Sequence, residues 1–109
     1  MAQGDYCSYI DRFPEVSLLC MGDMMLDVFV YGKSSRLSPE APVPVILCQK
    51  ERSMPGGAGN VIANLRSLDC TVRIIGVTGD DNGGRALHES MEALGADDSL
   101  MLHPQGYAT

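Results

Sequence analysis

The sequence predicts an α/β fold, a small parallel Rossmann-like sheet carrying a separate β flap. Two observations point to the sheet and one to the flap. Short apolar runs at 16–21, 71–77 and 99–102 alternate with amphipathic stretches at 61–68 and 82–94. This strand–helix order is the signature of parallel sheets with crossover helices. Glycine or an aspartate-rich turn closes most of these runs, as at Gly22, Gly79 and Gly95. Between the first run and the first amphipathic stretch lie Pro39, Pro42 and Pro44. Proline cannot donate to a ladder, so that stretch belongs at a sheet edge or in extended chain outside the core.

The elements follow in order. Residues 1–15 are polar and aperiodic, with Pro14 near their end, and read as a mobile leader. Residues 16–109 form the domain. Val16 to Met21 is a buried strand closed by Gly22. Val28 to Tyr31, ended by Gly32, and Val43 to Gln49 are the two flap strands, so the flap spans about 28–49. Val61, Leu65 and Leu68 fall at i, i+4 and i+7, one face of a helix. Asp69 sits at that helix end, where aspartate tolerates a left-handed turn. Thr71 to Val77 is a central parallel strand. Asp80, Asp81 or Asn82 caps the next helix, whose core face is Leu87, Met91 and Leu94. Gly95 ends it in a left-handed conformation. Ser99 to Leu102 is a weak third core strand. Two helices cover such a sheet incompletely, so apolar surface remains exposed and the isolated chain is expected to be marginal, oligomeric, or both.

Composition narrows the function. The 109 residues allow one small domain. Eight basic residues against 14 acidic ones give a net charge of −6, which argues against nucleic-acid or anionic-membrane partners. No apolar run approaches the roughly 20 residues that span a bilayer. No basic region and apolar core open the chain as a signal peptide does, and the cytoplasm is the expected compartment. Cys7, Cys20, Cys48 and Cys70 contain no Cys-x-x-Cys pair, which argues against zinc and leaves no metal site expected. Cys20 and Cys48 lie in apolar runs and read as small buried side chains. His88 opens His-Glu-Ser-Met-Glu, which fails the metalloprotease pattern at its last position, and His103 precedes a proline in a loop.

The most informative stretch is Pro55-Gly56-Gly57-Ala58-Gly59-Asn60-Val61, three glycines and an asparagine ahead of a helix. Glycine lets the backbone turn sharply and approach a ligand, and the helix then directs free N–H groups at it. It is not a dinucleotide fingerprint, because Ile62 holds the third glycine position, nor a P-loop, because no Gly-Lys-Ser/Thr follows. Around it stand Gly22-Asp23-Met24-Met25-Leu26-Asp27, Ser38-Pro39-Glu40-Ala41-Pro42-Val43-Pro44-Val45, and Gly76-Val77-Thr78-Gly79-Asp80-Asp81.

In this order and spacing the chain resembles the N-terminal third of a PfkB/ribokinase-family sugar kinase. Within the family it looks most like the kinases of heptose 7-phosphate in ADP-heptose synthesis, often the first half of a bifunctional protein. The resemblance implies a ribokinase-like fold with the flap as a lid over a sugar. It places a sugar-binding carboxylate at Asp27 and sugar-approaching residues at Gly56, Gly57 and Asn60. Two positions depart from the family pattern: Ile62 replaces a small residue and is expected to crowd the loop side of its helix, and Asp69 replaces glycine or serine.

Read without the resemblance, Asp27 is either an acceptor for two hydroxyls or an aspartate in a turn. Asp23 reads as a brace for the same turn. Arg36 or Lys33 either meets a substrate phosphate across the flap or is a solvated cation. Asp80 and Asp81 read as caps rather than metal ligands. The family's base and anion hole come from a Gly-Ala-Gly-Asp motif, which these 109 residues do not contain. The resemblance therefore implies ATP and Mg²⁺ for a complete enzyme, with neither held tightly by this segment and no catalytic residue within it. Two functions stand open. One is the sugar-binding segment of a heptose 7-phosphate kinase. The other is a non-catalytic remnant that binds sugar phosphate or pairs with a full-length kinase through its flap strands. The expected partners are a sugar phosphate and either a second copy, as a homodimer through the flap strands, or a C-terminal kinase segment.

Overall fold

A computed structural model describes residues 4–109. After a short helix α1 (Tyr6–Asp11) and a single 3₁₀ turn (Phe13–Glu15), the order is β1 (Ser17–Met21), β2 (Met24–Leu37), β3 (Pro44–Gly57), α2 (Ala58–Ser67), β4 (Thr71–Ile75) and α3 (Asn82–Leu94). Strands β1 and β4 pair in parallel, Ser17 with Thr71 through Met21 with Ile75. Residues 97–102 run along the other side of β4, with parallel pairings Arg73–Asp97 and Val77–Leu102. β4 is therefore central, as the sequence predicts. The third strand is reduced to pairings at its two ends. Hairpin β2–β3 is antiparallel and is inserted between β1 and the crossover helix α2.

One face of the parallel sheet is buried. Leu18, Cys20, Val72 and Ile74 point inward and join Ile62 of α2 with Leu87 and Met91 of α3. Burying each large side chain contributes about 1.5–3 kcal/mol. The opposite face is open, and Met21 there is 79% exposed. Arg66 ties the two helix ends together, donating from Nε to the Leu94 carbonyl at 2.7 Å and from Nη1 to the Cys70 carbonyl at 2.6 Å.

The local signals hold at the turns. Asp81 caps α3, its carboxylate accepting from the Gly84 N–H at 2.7 Å. Gly95 ends the helix at φ 73°, and Asp69 takes φ 64° after α2.

Four expectations change. The leader is helical at Tyr6–Asp11, with Asp5 Oδ1 accepting from the Cys7 N–H at 3.2 Å, and Phe13 packs against the edge of the core; residues 1–3 of the expected leader lie outside the described residues. The flap strands are longer than expected, Met24–Leu37 and Pro44–Gly57: at the base they run on into the core side through Met24, Leu26 and Pro55, and further out both faces of the hairpin meet solvent, so no apolar alternation marks their length there. Cys48, on that hairpin, is exposed for the same reason, whereas Cys20 is half-buried.

The core face of α2 is also rotated. Val61 and Leu68 are 53% and 48% exposed, while Ile62 is 0% exposed. Gly59 lies so close to Pro55 that a Cβ there would stand 2.7 Å from the proline ring carbon. That contact turns Gly59, Ile62 and Leu65 inward, so Ile62 fills the core instead of crowding the loop.

Candidate sugar site at the hairpin base

The base of the hairpin is built by β2 running out of the sheet and β3 returning into α2. Met24 pairs with Gly57, Met25 with Gly56 and Asp27 with Met54. Successive strand residues point to opposite faces, and cross-strand partners share one. Met24, Leu26 and Pro55 therefore face the core side, where Met24 is buried and the other two are half-buried. Met25, Asp27, Met54 and Gly56 face the other way.

On that open face the Asp27 carboxylate lies directly over Gly56, in space a side chain at 56 would need. Gly56 is buried beneath it, while Asp27 is exposed. The carboxylate has no salt bridge among the described residues.

Gly57 is the hinge between strand and helix. Its φ of 55° with ψ of −128° is a conformation only glycine adopts freely. A Cβ there would also stand 2.7 Å from the Asp23 carbonyl oxygen. That same carbonyl accepts from the Ala58 N–H at 2.9 Å, satisfying one of the first N–H groups of α2. Among the described residues no side chain caps the helix. Asp23 thus braces the turn through its backbone. Asn60 stands exposed on the first turn of α2 and makes no side-chain hydrogen bond to Asp27, Gly56 or Gly57. The structure joins Asp27, Gly56 and Gly57 in one corner and leaves Asn60 a turn away.

A cleft of about 450 Å³ opens beside this corner at the C-terminal end of β1, lined by Met21, Gly22, Asp23, Met25, Gly57 and Val61 among others. Ligands of open α/β sheets bind outside the carboxyl ends of strands, which is where this cleft lies. Lys33 and Arg36 pair with Leu47 and Val45 near the far end of the hairpin, away from the corner.

A second cavity, about 410 Å³, lies at the start of α3 and is lined by Gly79, Asp80, Gly84, Arg85, His88 and His103. Sequence reading missed its side-chain pairs. His88 Nδ1 meets Asp98 Oδ2, and this hydrogen bond and charge raise the imidazole above its ordinary pKa. The buried Thr78 hydroxyl lies 3.0 Å from His103 Nδ1. Asp81 is held below the usual carboxylate range chiefly by the Thr109 N–H and then by that of Gly84. Nothing local in the sequence signals these pairs, since ten and 25 residues separate the partners. Among the described residues no helix is long and apolar enough to cross a membrane.

Comparison with known proteins places this chain in a family. The bifunctional protein HldE of Hyphomonas neptunium is 54% identical over 78 residues, 72% of this chain and 16% of its own length. The protein of the same name from Rhodopseudomonas palustris is 53% identical over 87 residues, 80% of this chain and 18% of its own. This chain thus spans less than a fifth of either relative. Among solved structures, a carbohydrate kinase from Agrobacterium tumefaciens superposes with a TM-score of 0.68 at 22% identity, over 86% of this chain and 29% of that one. A fructokinase from Xylella fastidiosa with bound ATP gives 0.65 at 21% identity, over 85% and 27%. These two show the fold, the N-terminal part of a ribokinase-like α/β structure. Residues 16–106 match the family described as pfkB family carbohydrate kinase, and the chain belongs to that family.

Proposed function

We propose that this chain is the N-terminal, sugar-binding segment of an ATP-dependent kinase that phosphorylates a heptose 7-phosphate, one step in the synthesis of ADP-heptose, a lipopolysaccharide core precursor. The observation that carries the reading is the exposed Asp27 carboxylate, without a salt-bridge partner among the described residues and seated over Gly56. A carboxylate in that position accepts hydrogen bonds from two neighbouring hydroxyls, and charged acceptors make the stronger bonds. Gly56 and Gly57 let a sugar ring approach the backbone, and Asn60 offers an amide from the first turn of α2. The heptose is supported by the resemblance carried by residues 22–27 and 38–45, and by 54% identity to a protein named HldE.

Phosphoryl transfer also needs a nucleotide site, charge stabilisation and a base beside the attacking hydroxyl. Among the described residues no three His, Cys, Asp or Glu side chains gather into a metal cage, and Mg²⁺ that arrives with ATP is held by the phosphates with only one or two carboxylates. In this reading ATP and Mg²⁺ engage the complete enzyme, in the cytoplasm, and the segment's own work is to bind and orient the sugar phosphate.

The test is titration of the chain with a mannoheptose 7-phosphate, with ADP release measured alone and with the remainder of a pfkB-type kinase domain added as a second chain. Saturable binding, with ADP release only in the second case, is expected. Absence of binding overturns the reading.

A second reading is pairing with another copy, or with a C-terminal kinase segment, through the hairpin. It is supported by exposed Val28, Val30, Ile46 and Leu47 on a two-stranded sheet with open edges. Sedimentation equilibrium of the chain tests it, and a monomer at all concentrations counts against a homodimer.

A further inference from the structure

The open face of the hairpin continues past Asp27. Phe29 and Tyr31 follow on β2, and their cross-strand partners on β3 are Arg52 and Lys50. Read outward from Gly56, this face presents one carboxylate, then two aromatic rings opposite two cations. The other face presents Val28 and Val30 opposite Ser53 and Glu51. Arg52 and Lys50 are exposed and form no salt bridge among the described residues. Asp27 and Arg52 are diagonal neighbours on one face, yet they do not pair with each other. Both charges are left available.

Distance decides which cation can serve a ligand held at Asp27. A strand rises about 3.3 Å per residue, so Arg52, opposite Phe29, stands about 7 Å along the hairpin from Asp27, and Lys50 about 13 Å. Lys33 and Arg36 lie about 20 and 30 Å away by the same measure, several sugar lengths out. A phosphate cannot sit on Asp27 itself, because like charges repel. One step outward it leaves the carboxylate and meets a guanidinium, whose planar fork matches phosphate oxygens two at a time. A net charge of −6 supplies no general attraction for anions, so affinity for a phosphate must come from local cations of this kind.

We infer that Arg52, with Lys50 behind it, recognises the phosphate of a phosphorylated sugar whose hydroxyls rest on Asp27, and thereby selects sugar phosphates over free sugars. This rests on the sugar-binding reading of Asp27 given above. It moves the phosphate contact from Lys33 and Arg36, at the far end of the hairpin, to its base.

The test compares a mannoheptose 7-phosphate with the free mannoheptose, by calorimetric titration of the chain and of Arg52→Gln, Arg52→Lys, Lys33→Gln and Asp27→Asn variants. The phosphate ester is expected to bind about tenfold tighter than the free sugar, the scale of one charge-assisted contact. Arg52→Gln removes that advantage and leaves free-sugar binding intact. Arg52→Lys keeps part of it, and Lys33→Gln keeps all of it. Because Arg52 is exposed, these variants retain the fold, which unchanged circular dichroism verifies. If the advantage survives Arg52→Gln, or is lost in Lys33→Gln, the assignment to Arg52 is overturned while the sugar site stands. If neither ligand binds, or Asp27→Asn leaves both affinities unchanged, the sugar site itself falls and this inference with it.

Discussion

The carboxylate of Asp27 occupies the space that a side chain at Gly56 would fill, so the two residues form one unit across the base of the hairpin. The obstructing atoms are the end of a flexible, exposed side chain, which can swing aside. Gly56→Ala is therefore expected to fold with a loss of stability below about 1 kcal/mol. At the proposed sugar site it is expected to displace the carboxylate and weaken sugar binding about tenfold, an effect that paired thermal melts and sugar titrations separate.

Gly57 behaves differently, because backbone stands in the way. An alanine there meets the Asp23 carbonyl and must hold φ of 55°. Gly57→Ala is expected to cost about 1–3 kcal/mol and to disturb the start of α2. Urea unfolding measures this, and a midpoint equal to that of Gly56→Ala contradicts it.

The rotation of α2 sets a contrast between adjacent residues. Ile62→Ala empties a fully buried site and is expected to destabilise by about 2–5 kcal/mol, whereas Val61→Ala, on the open cleft, costs below about 1 kcal/mol. Equal costs in denaturant melts would place the core face on Val61 after all.

His88 and Asp98 link α3 to the segment after Gly95. The pairing raises the imidazole pKa, so its stabilisation is fully present below the unfolded value of about 6.5 and is lost as pH rises through the raised folded value. Asp98→Asn is expected to lower Tm relative to the unsubstituted chain at pH 6 and to leave little difference at pH 9. In an NMR titration His88 returns toward its ordinary pKa in that variant. A gap in Tm that is the same at both pH values contradicts the pairing.

Much of the core was legible because its signals are local. The cap at Asp81, the left-handed Gly95 and Asp69, and the β-branched run of β4 each follow from a few neighbouring residues. The motif named Asp27, Gly56 and Gly57 as candidates, and the structure brings these three side by side at the hairpin base. Three features were not legible. Both faces of the outer hairpin contact water, so no period of two marks how far β2 runs past Tyr31 or β3 past Gln49. Val61 and Ile62 are adjacent and apolar, and helical spacing fits either. What chooses Ile62 is packing of the Gly59 face against Pro55 and, from far along the chain, Met24 and Met91. The faces of the hairpin depend on register, so the sequence pointed to Lys33 and Arg36 while the ladder puts Arg52 nearer Asp27.

The most direct measurement is an amide chemical-shift titration of the isotope-labelled chain with free mannoheptose. A sugar on Asp27 is expected to move the signals of Asp27, Gly56 and Gly57 together and saturably, with those of Gly79 to Arg85 unmoved. Shifts confined to the cavity at the start of α3, or no saturable shift at all, would contradict the placement of the sugar at the hairpin base.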